Sequence, residues 1–178
     1  MKYPEKLALR VLIILLLFLI YNYIYIIALP VTTYLSFIVL KILQYNPTLI
    51  GNSISVNNIT FSFISACVAL PAYYLLLILL LTTKDLNVKS SIKLFFIGSL
   101  LILAMNIIRI DLLIAAFTSF GKQWFDKLHI IFWKFVSGVY VAIIWIFLSK
   151  KYKIKSMPVY TDLKYLYNKS LLKNRFKK

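Results

Sequence analysis

The residues at positions 11–29, VLIILLLFLIYNYIYIIAL, form an uninterrupted apolar stretch without Asp, Glu, Lys or Arg. A helix rises about 1.5 Å per residue, so nineteen residues are enough to cross a hydrocarbon layer of about 30 Å. The stretch predicts a first membrane span over residues 9–29. No small-x-small cleavage site precedes Pro30, which favours an uncleaved helix over a signal peptide.

The whole chain shares this apolar character. Of its 178 residues, 62% are hydrophobic and 15% are charged, and the mean hydropathy is +0.86. A water-soluble domain carries about 25% charged residues, so the composition excludes an ordinary soluble protein. The single Cys excludes an intramolecular disulfide, and one Cys with one His is too few for a structural zinc site. We therefore expect an integral membrane protein without a metal or other cofactor.

Further apolar stretches have the length of a membrane-spanning helix. They cover residues 66–83, 92–115 and 128–149. The segment Val31 to Tyr45 is apolar too, but it is short, carries Lys41 near its end and follows Pro30 too closely for a reversing loop. These properties indicate an interfacial helix rather than a crossing. The sequence thus predicts an all-α integral membrane protein, a four-span helical bundle that forms one domain over residues 1–149.

The segment 30–65 is expected to lie outside the membrane. Within it, residues 53–63, SISVNNITFSF, alternate between polar and apolar side chains around the pair Asn57-Asn58. Such alternation around two turn-forming residues predicts a short extracytoplasmic β-hairpin before the second span.

The basic residues predict the orientation. The chain has 21 Lys and Arg against 5 Asp and Glu, a net charge of +16. With the N-terminus inside, sixteen basic residues fall on the cytoplasmic side and three outside, so both termini are expected in the cytoplasm at the plasma membrane. The tail 150–178 has apolar residues at helical spacing among its lysines, which suits an amphipathic segment on anionic headgroups. Lipid, rather than nucleic acid, is the expected partner of the excess charge.

In this topology Cys67 and His129 fall near the external face. Cys67 begins the second span, where the free N–H groups of a helix start favour a thiolate, although a lone Cys is more often a small packing residue. His129 begins the fourth span and follows Asp126 by three residues, so the carboxylate can hold one ring nitrogen and leave the other as a base. Alternatively, Asp126 serves only as the N-cap of that helix.

Arg109 lies within the third predicted span, at the same external level. A permanent cation inside a span costs about 3 kcal/mol on insertion scales, so it needs a polar cavity or a partner. Asn106 precedes it by three residues and shares its helix face, whereas Asp111 points elsewhere. The pattern Asn106-x-x-Arg109 predicts a polar stripe directed into the bundle. The alternatives are that Arg109 pairs with Asp111 or extends towards the membrane surface.

These residues carry a resemblance to a known family. The order of Cys67, Arg109 and His129 on successive spans resembles that in the exosortase and archaeosortase family of membrane cysteine transpeptidases. The resemblance covers about residues 50–149. The matching elements are Ala66-Cys67-Val68-Ala69-Leu70, Asn106-Ile107-Ile108-Arg109 and Asp126-x-x-His129. Many members have a Ser/Thr-Gly pair directly after the Cys, where this chain has Val68-Ala69, and this chain has fewer spans before the Cys.

The resemblance implies an activity and its residues. Family members cleave a C-terminal sorting signal of exported proteins, which consists of a short motif, a transmembrane helix and a basic tail. They cut near the outer membrane face and transfer the protein to a lipid or an envelope component. By this resemblance, Cys67 is the nucleophile that forms a thioester, His129 the general base and Arg109 the charge stabiliser. Asn106 and Asp126 are then supporting residues.

Two non-enzymatic hypotheses stay open on the sequence. In the first, the protein is a small transporter or assembly subunit, Arg109 and Asn106 bind an anionic solute, and Cys67 is a packing residue. In the second, it is a structural partner whose basic tail docks on lipid. The enzyme hypothesis alone requires Cys67, Arg109 and His129 to meet in one pocket on the outer side.

Overall fold

A computed structural model describes residues 3–19, 21–83, 86–132 and 137–154, with single positions 158, 160 and 167. The fold is mainly helical and contains one small sheet between its second and third helices. The elements are α1 (Tyr3–Leu19), α2 (Tyr21–Ile42), β1 (Thr48–Ile50), β2 (Ser53–Val56), β3 (Ile59–Ser62), α3 (Ser65–Val68), α4 (Leu70–Leu81), α5 (Val88–Phe120), α6 (Lys122–Ile131) and α7 (Ser137–Lys151). The predicted amphipathic tail lies almost wholly outside the described residues.

Helix α2 continues through Pro30, which corrects the predicted division at that residue. We expected one helix over residues 9–29 and a separate interfacial helix after it. The structure instead is helical over Tyr3–Leu19 and over Tyr21–Ile42, with position 20 outside the described residues and Pro30 in the interior of the second helix. A proline removes the donor to the carbonyl four residues earlier, here that of Ile26, and long apolar helices tolerate this loss better than helices in water.

Among the described residues, two helices are long and apolar enough to cross a membrane. They are the Tyr23–Ile42 part of α2 and the whole of α5. Two apolar helices are shorter, Ala8–Leu19 and Leu70–Leu81. Large apolar side chains on the outer helix faces, such as Phe18, Phe96 and Leu100, are between 66% and 68% exposed. Surfaces of this kind are favourable against hydrocarbon and unfavourable in water.

The other predicted spans have different limits in the structure. The predicted helix 66–83 is interrupted at Ala69, which separates the four-residue α3 from α4. The predicted helix 92–115 is part of the longer α5. The predicted helix 128–149 corresponds to the end of α6 and most of α7, with residues 133–136 outside the described part.

The predicted hairpin is confirmed, and a third strand extends it. The antiparallel sheet has the order β1-β2-β3. Asn57 and Asn58 form the two-residue turn between β2 and β3 with φ of 51° and 62°, the positive values that such a turn needs. Ile54 and Val56 of β2 are buried and fix the register of the sheet against the helices. Strand β1 was not predicted, because it contains only three residues.

Helix α5 connects the two hydrophobic clusters of the protein. Near its C-terminal half, Ile110 and Ile114 pack with residues of α2, the sheet and α3. Near its N-terminal half, Leu94 and Ile102 pack with residues of α4 and α7. The side chains that approach from α3 and from the sheet therefore share one rigid support.

Gly98 lies where Leu76 of α4 packs closely against α5. A Cβ atom placed at Gly98 lies 2.5 Å from Leu76 Cδ2 and 3.3 Å from Leu148 Cδ1. We therefore expect Gly98→Leu to lower the free energy of unfolding by about 2–3 kcal/mol through overpacking. Thermal and denaturant unfolding of the purified protein in detergent measures this change.

Gly138 provides the matched control for that substitution. It lies on α7, and a Cβ atom placed there has no neighbour within 4 Å, so Gly138→Leu is expected to leave the stability nearly unchanged. Equal effects of the two substitutions would contradict the close packing of α4 against α5.

Candidate functional site

Cys67 lies on a single turn rather than at the start of a long helix. Helix α3 spans Ser65–Val68 and ends where Ala69 adopts left-handed values, φ 55° and ψ 31°. The Cys67 backbone N–H donates to the Ile64 carbonyl at 2.9 Å, so it is not a free donor. The predicted stabilisation of a thiolate by a helix start is therefore corrected. Many members of the exosortase and archaeosortase family, which this chain resembles, have Gly at the position of Ala69. Glycine adopts the left-handed conformation without steric cost.

Two side chains of α5 hold this turn by its carbonyl groups. Asn106 Nδ2 donates to the Cys67 carbonyl at 2.6 Å, and Arg109 Nη2 donates to the Ala66 carbonyl at 3.0 Å. In a continuous helix these carbonyls would accept from residues 70 and 71. Position 71 is a proline without an N–H, and the left-handed Ala69 interrupts the helix. Asn106 and Arg109 thus replace two donors that the local sequence cannot supply.

The alternative pairing of Arg109 with Asp111 does not occur. Asp111 is 5% exposed and accepts a hydrogen bond from the Ser36 hydroxyl of α2. Residues two apart on a helix point in different directions, and here they serve different neighbours. Asp111 connects α5 to α2, while Arg109 faces α3. The predicted stripe of Asn106 and Arg109 directed into the bundle is therefore what the side-chain contacts show.

One pocket brings together the three predicted site residues whose side chains are most able to take part in a reaction. Cys67 of α3, Arg109 of α5 and His129 of α6 all line a pocket of about 270 Å³. We call it the thiol pocket. One further wall is strand β3, and the remaining walls are aliphatic and aromatic side chains of α5 and α6. Three separate elements thus supply a thiol, a guanidinium and an imidazole to the same space.

His129 lies in the last turn of α6 rather than at a helix start. Its ring stacks on Phe125 with centroids 5.7 Å apart and an interplanar angle of 15°. Its Nδ1 is buried and has no hydrogen-bond partner among the described residues. The imidazole is therefore positioned by stacking.

Asp126 does not take either of its predicted roles. Its side chain is exposed, and in the described structure it accepts no hydrogen bond from His129. The N-cap of α6 is Gly121, so Asp126 lies inside the helix and does not cap it. The reason is that α6 begins at Lys122, six residues before the predicted start of the fourth span.

The aromatic wall of the pocket was not identified from the sequence. Phe61 of β3 packs edge-on against Phe117 at 5.3 Å, and Phe117 packs edge-on against Phe125 at 5.6 Å. The stack of Phe125 on His129 completes this row. The spacing of Phe125 and His129, four residues apart on one helix, was the available signal. The rest of the row depends on contacts between the sheet and two helices.

The arrangement provides the groups needed for acyl transfer. A thiol can act as a nucleophile, and an imidazole can accept and return its proton. Arg109 keeps its charge at all ordinary pH values, and its Nε is buried without a partner among the described residues. A fixed donor of this kind, away from bulk water, stabilises a developing oxyanion.

The chain matches no protein-family model, no curated protein and no solved structure. The resemblance to the exosortase and archaeosortase family therefore rests only on the order and spacing of its matching residues, such as Cys67, Arg109 and His129.

Proposed function

We propose that this protein is a membrane cysteine transpeptidase or peptidase that acts on the C-terminal sorting signals of exported proteins. The supporting observation is that Cys67, Arg109 and His129 line one pocket although they come from three different elements. The pocket is mainly apolar, which suits the attack of a thiol on a peptide carbonyl in a water-poor environment.

The reaction has two acyl-transfer steps. His129 accepts the proton of the Cys67 thiol as the sulfur attacks the scissile carbonyl, and Arg109 stabilises the resulting oxyanion. His129 then gives the proton to the leaving amine, the C–N bond breaks, and a thioester remains on Cys67. An acceptor amine, hydroxyl or water loses its proton to His129 and attacks the thioester, which releases the product and restores the thiol. A membrane lipid or an envelope component is the proposed acceptor.

Asn106 is the supporting residue in this mechanism. Its bond to the Cys67 carbonyl, together with the bond from Arg109 to Ala66, fixes the turn that carries the nucleophile. Accurate positioning of a nucleophile contributes strongly to the rate. Asp126 has no part in the mechanism, because its side chain is exposed and makes no hydrogen bond to the imidazole in the described structure.

We propose a topology of four crossings in the plasma membrane, formed by α2, α4, α5 and α7. Helix α1 packs beside these crossings, because Phe18 of α1 contacts Tyr74 of α4 edge-on with ring centroids 6.4 Å apart. The sheet, α3, α6 and the thiol pocket then lie on the outer side, and both termini lie in the cytoplasm. The distribution of basic residues supports this orientation. The basic tail would contact anionic headgroups.

The thioester intermediate provides the test of the proposed function. Cys67 is the only Cys in the chain, so any acyl group on a thiol of this protein is on Cys67. In native cells we expect exported proteins that end in a motif, an apolar helix and a basic tail to lose the helix. We also expect a covalent adduct of such a protein with this chain, released by neutral hydroxylamine. Mass spectrometry of C-terminal peptides and of the adduct measures both.

A matched strain carrying Cys67→Ser is the control. It should retain the full-length exported proteins and show no hydroxylamine-sensitive adduct. Identical C-terminal peptides in the two strains would contradict the proposed function.

A further inference from the structure

Strand β3 is an edge strand, and its outer side borders the thiol pocket. It pairs with β2 on one side only, because the sheet order is β1-β2-β3. Thr60 and Ser62 of β3 line the thiol pocket and are both exposed. Cys67 follows the end of this strand by five residues and lines the same pocket. A free strand edge and a thiol are therefore neighbours.

The register of the hairpin shows which backbone groups point outward. Phe63 donates its N–H to the Asn52 carbonyl at 3.1 Å, and the pair Phe61 and Ile54 lies two residues further along the ladder. In an antiparallel ladder, alternate residues exchange both hydrogen bonds with the partner strand. Ile59 and Phe61 therefore face β2. The N–H and C=O groups of Thr60 and Ser62 point away from β2, towards the free edge.

These outward groups have no partner within the part of the chain that the structure describes. The hydrogen bonds of the described residues include a side-chain contact between Ser53 and Ser62, but none to the backbone N–H or C=O of Thr60 or Ser62. Unpaired edge groups are a template for a further strand. The two residues offer two donors and two acceptors that repeat after about 6.8 Å, twice the rise of a strand.

Only an extended peptide matches this spacing of donors and acceptors. A helix uses its own amides internally, so it cannot pair with the edge. In a sorting signal, the part after the scissile bond continues as a membrane helix, whereas the part before it can be extended. The segment on the amino side of the scissile bond is therefore the one with free amides.

We propose that this amino-side segment of the substrate binds in extended form along the free edge of β3, as a fourth strand of the sheet that leads its carbonyl to Cys67. This inference rests on the proposed function and specifies how the same site holds its substrate. Alternate side chains of the bound segment would face Phe61 and the aromatic row, and those between them would face outward with Thr60 and Ser62. Recognition thus favours a segment with an apolar side chain at every second position.

Defined thiol probes test the proposal without knowledge of the natural motif. The probes are an acetylated tetra-alanine carrying a C-terminal vinyl sulfone, and methyl vinyl sulfone as the small reference. In both, the Cys67 sulfur adds to the vinyl carbon and a proton from solvent completes the product. We expect the peptide probe to modify Cys67 at least about tenfold faster than the reference. Intact mass of the full chain in detergent or liposomes measures the rates.

N-methylation of the peptide probe identifies a strand partner. Removing one edge hydrogen bond is expected to slow modification about five- to tenfold. Because only alternate peptide groups face β3, the slow probes should be every second one in a scan along the peptide. A uniform effect, or none, would overturn the strand geometry.

Thr60→Pro and Leu49→Pro are the matched protein variants. Thr60→Pro removes an outward N–H of β3 and leaves its bonds to β2 intact. Leu49→Pro makes the same change on the opposite edge, because Leu49 of β1 pairs with Ile54 at a position where its N–H also points away from β2. We expect Thr60→Pro to reduce modification by the peptide probe to the rate of the reference, and Leu49→Pro to retain the fast rate.

The outcomes separate this inference from the proposed function. Equal rates for the peptide and the small probe, or no reaction with either, would overturn strand pairing at β3. So would a Thr60→Pro variant that reacts like the unaltered protein. If the probes show strand pairing while native cells show no thioester, the edge binds peptides and the transpeptidase proposal is wrong. The N-methyl scan uses the unaltered chain, so it tests strand pairing at β3 even if the proline variants do not fold.

Discussion

Cys67→Ser is expected to lower the processing of sorting signals at least about a thousandfold. A thiol is a stronger acid and a better nucleophile than a serine hydroxyl, which needs a strong general base. His129 is not well prepared for that task, because no carboxylate among the described residues orients its ring. The substitution therefore removes the nucleophile that the proposed mechanism needs. Rates of helix release from an exported substrate in liposomes measure the loss.

The fold should survive this substitution. The turn is held by the bonds of Asn106 and Arg109 to backbone carbonyls, and neither bond involves the Cys67 side chain. Cys67 is only partly buried, so a hydroxyl in place of the sulfur is expected to change the free energy of unfolding by less than about 1 kcal/mol. A Cys67→Ser protein that is folded and retains a tenth or more of the activity would show that the thiol is not the nucleophile.

The sequence was informative about which residues approach the pocket. Each of Cys67, Arg109 and His129 is a residue type that is rare in apolar helices, and rarity is visible without a structure. The shared face of Asn106 and Arg109 follows directly from helical spacing. The Asn-Asn hairpin was predictable because its turn residues and its alternation are local signals.

The errors arose where the surroundings override a local rule. Proline usually ends a helix in water, but long apolar helices tolerate it better, and α2 continues through Pro30. The break at Ala69 was not predicted, because a left-handed alanine has no sequence signature and depends on donors from α5. Strand β1 is too short to show alternation. The contact of His129 with Phe125 in place of Asp126 was decided by the packing of α6.

Pro71 carried a signal that becomes clear from the structure. A proline four residues after Cys67 leaves the Cys67 carbonyl without its helical donor. A polar residue on a neighbouring helix was therefore required, and Asn106 supplies it. The conformation of α3 and the polar stripe on α5 are thus consequences of one another.

Arg109→Lys is expected to lower processing about 100- to 1000-fold, the loss typical of removing one oxyanion donor. The guanidinium already donates through Nη2 to the Ala66 carbonyl and still has other N–H groups for a substrate oxyanion. A lysine ammonium has the same charge, but it is a compact group on a flexible chain and does not span both positions in a fixed geometry. The loss should appear in kcat more than in KM, because the oxyanion exists only in the transition state.

Asn106→Leu is the control that separates support of the turn from stabilisation of charge. It removes the donor to the Cys67 carbonyl and leaves the cation in place. An unsatisfied buried carbonyl costs about 1–3 kcal/mol of stability. Arg109→Lys has a cost of the same kind, because it removes the guanidinium donor to the Ala66 carbonyl. If Arg109 served only to hold the turn, the two variants would lose stability and activity in parallel. A fall in kcat for Arg109→Lys beyond that of Asn106→Leu at equal stability assigns the difference to the oxyanion.

Arg109→Lys also distinguishes the enzyme from a protein that binds an anionic solute. Lysine is an effective partner for anions, so a simple binding site would retain much of its affinity in Arg109→Lys. The thiol pocket is walled mainly by aromatic and aliphatic side chains, and one nitrogen of Arg109 is committed to the backbone, so little remains to hold a stable anion. A variant that keeps full function with lysine would therefore favour the anion-binding hypothesis. Stabilisation of the transition state requires a planar guanidinium that donates to the Ala66 carbonyl and to the oxyanion at the same time, whereas binding of a stable anion does not.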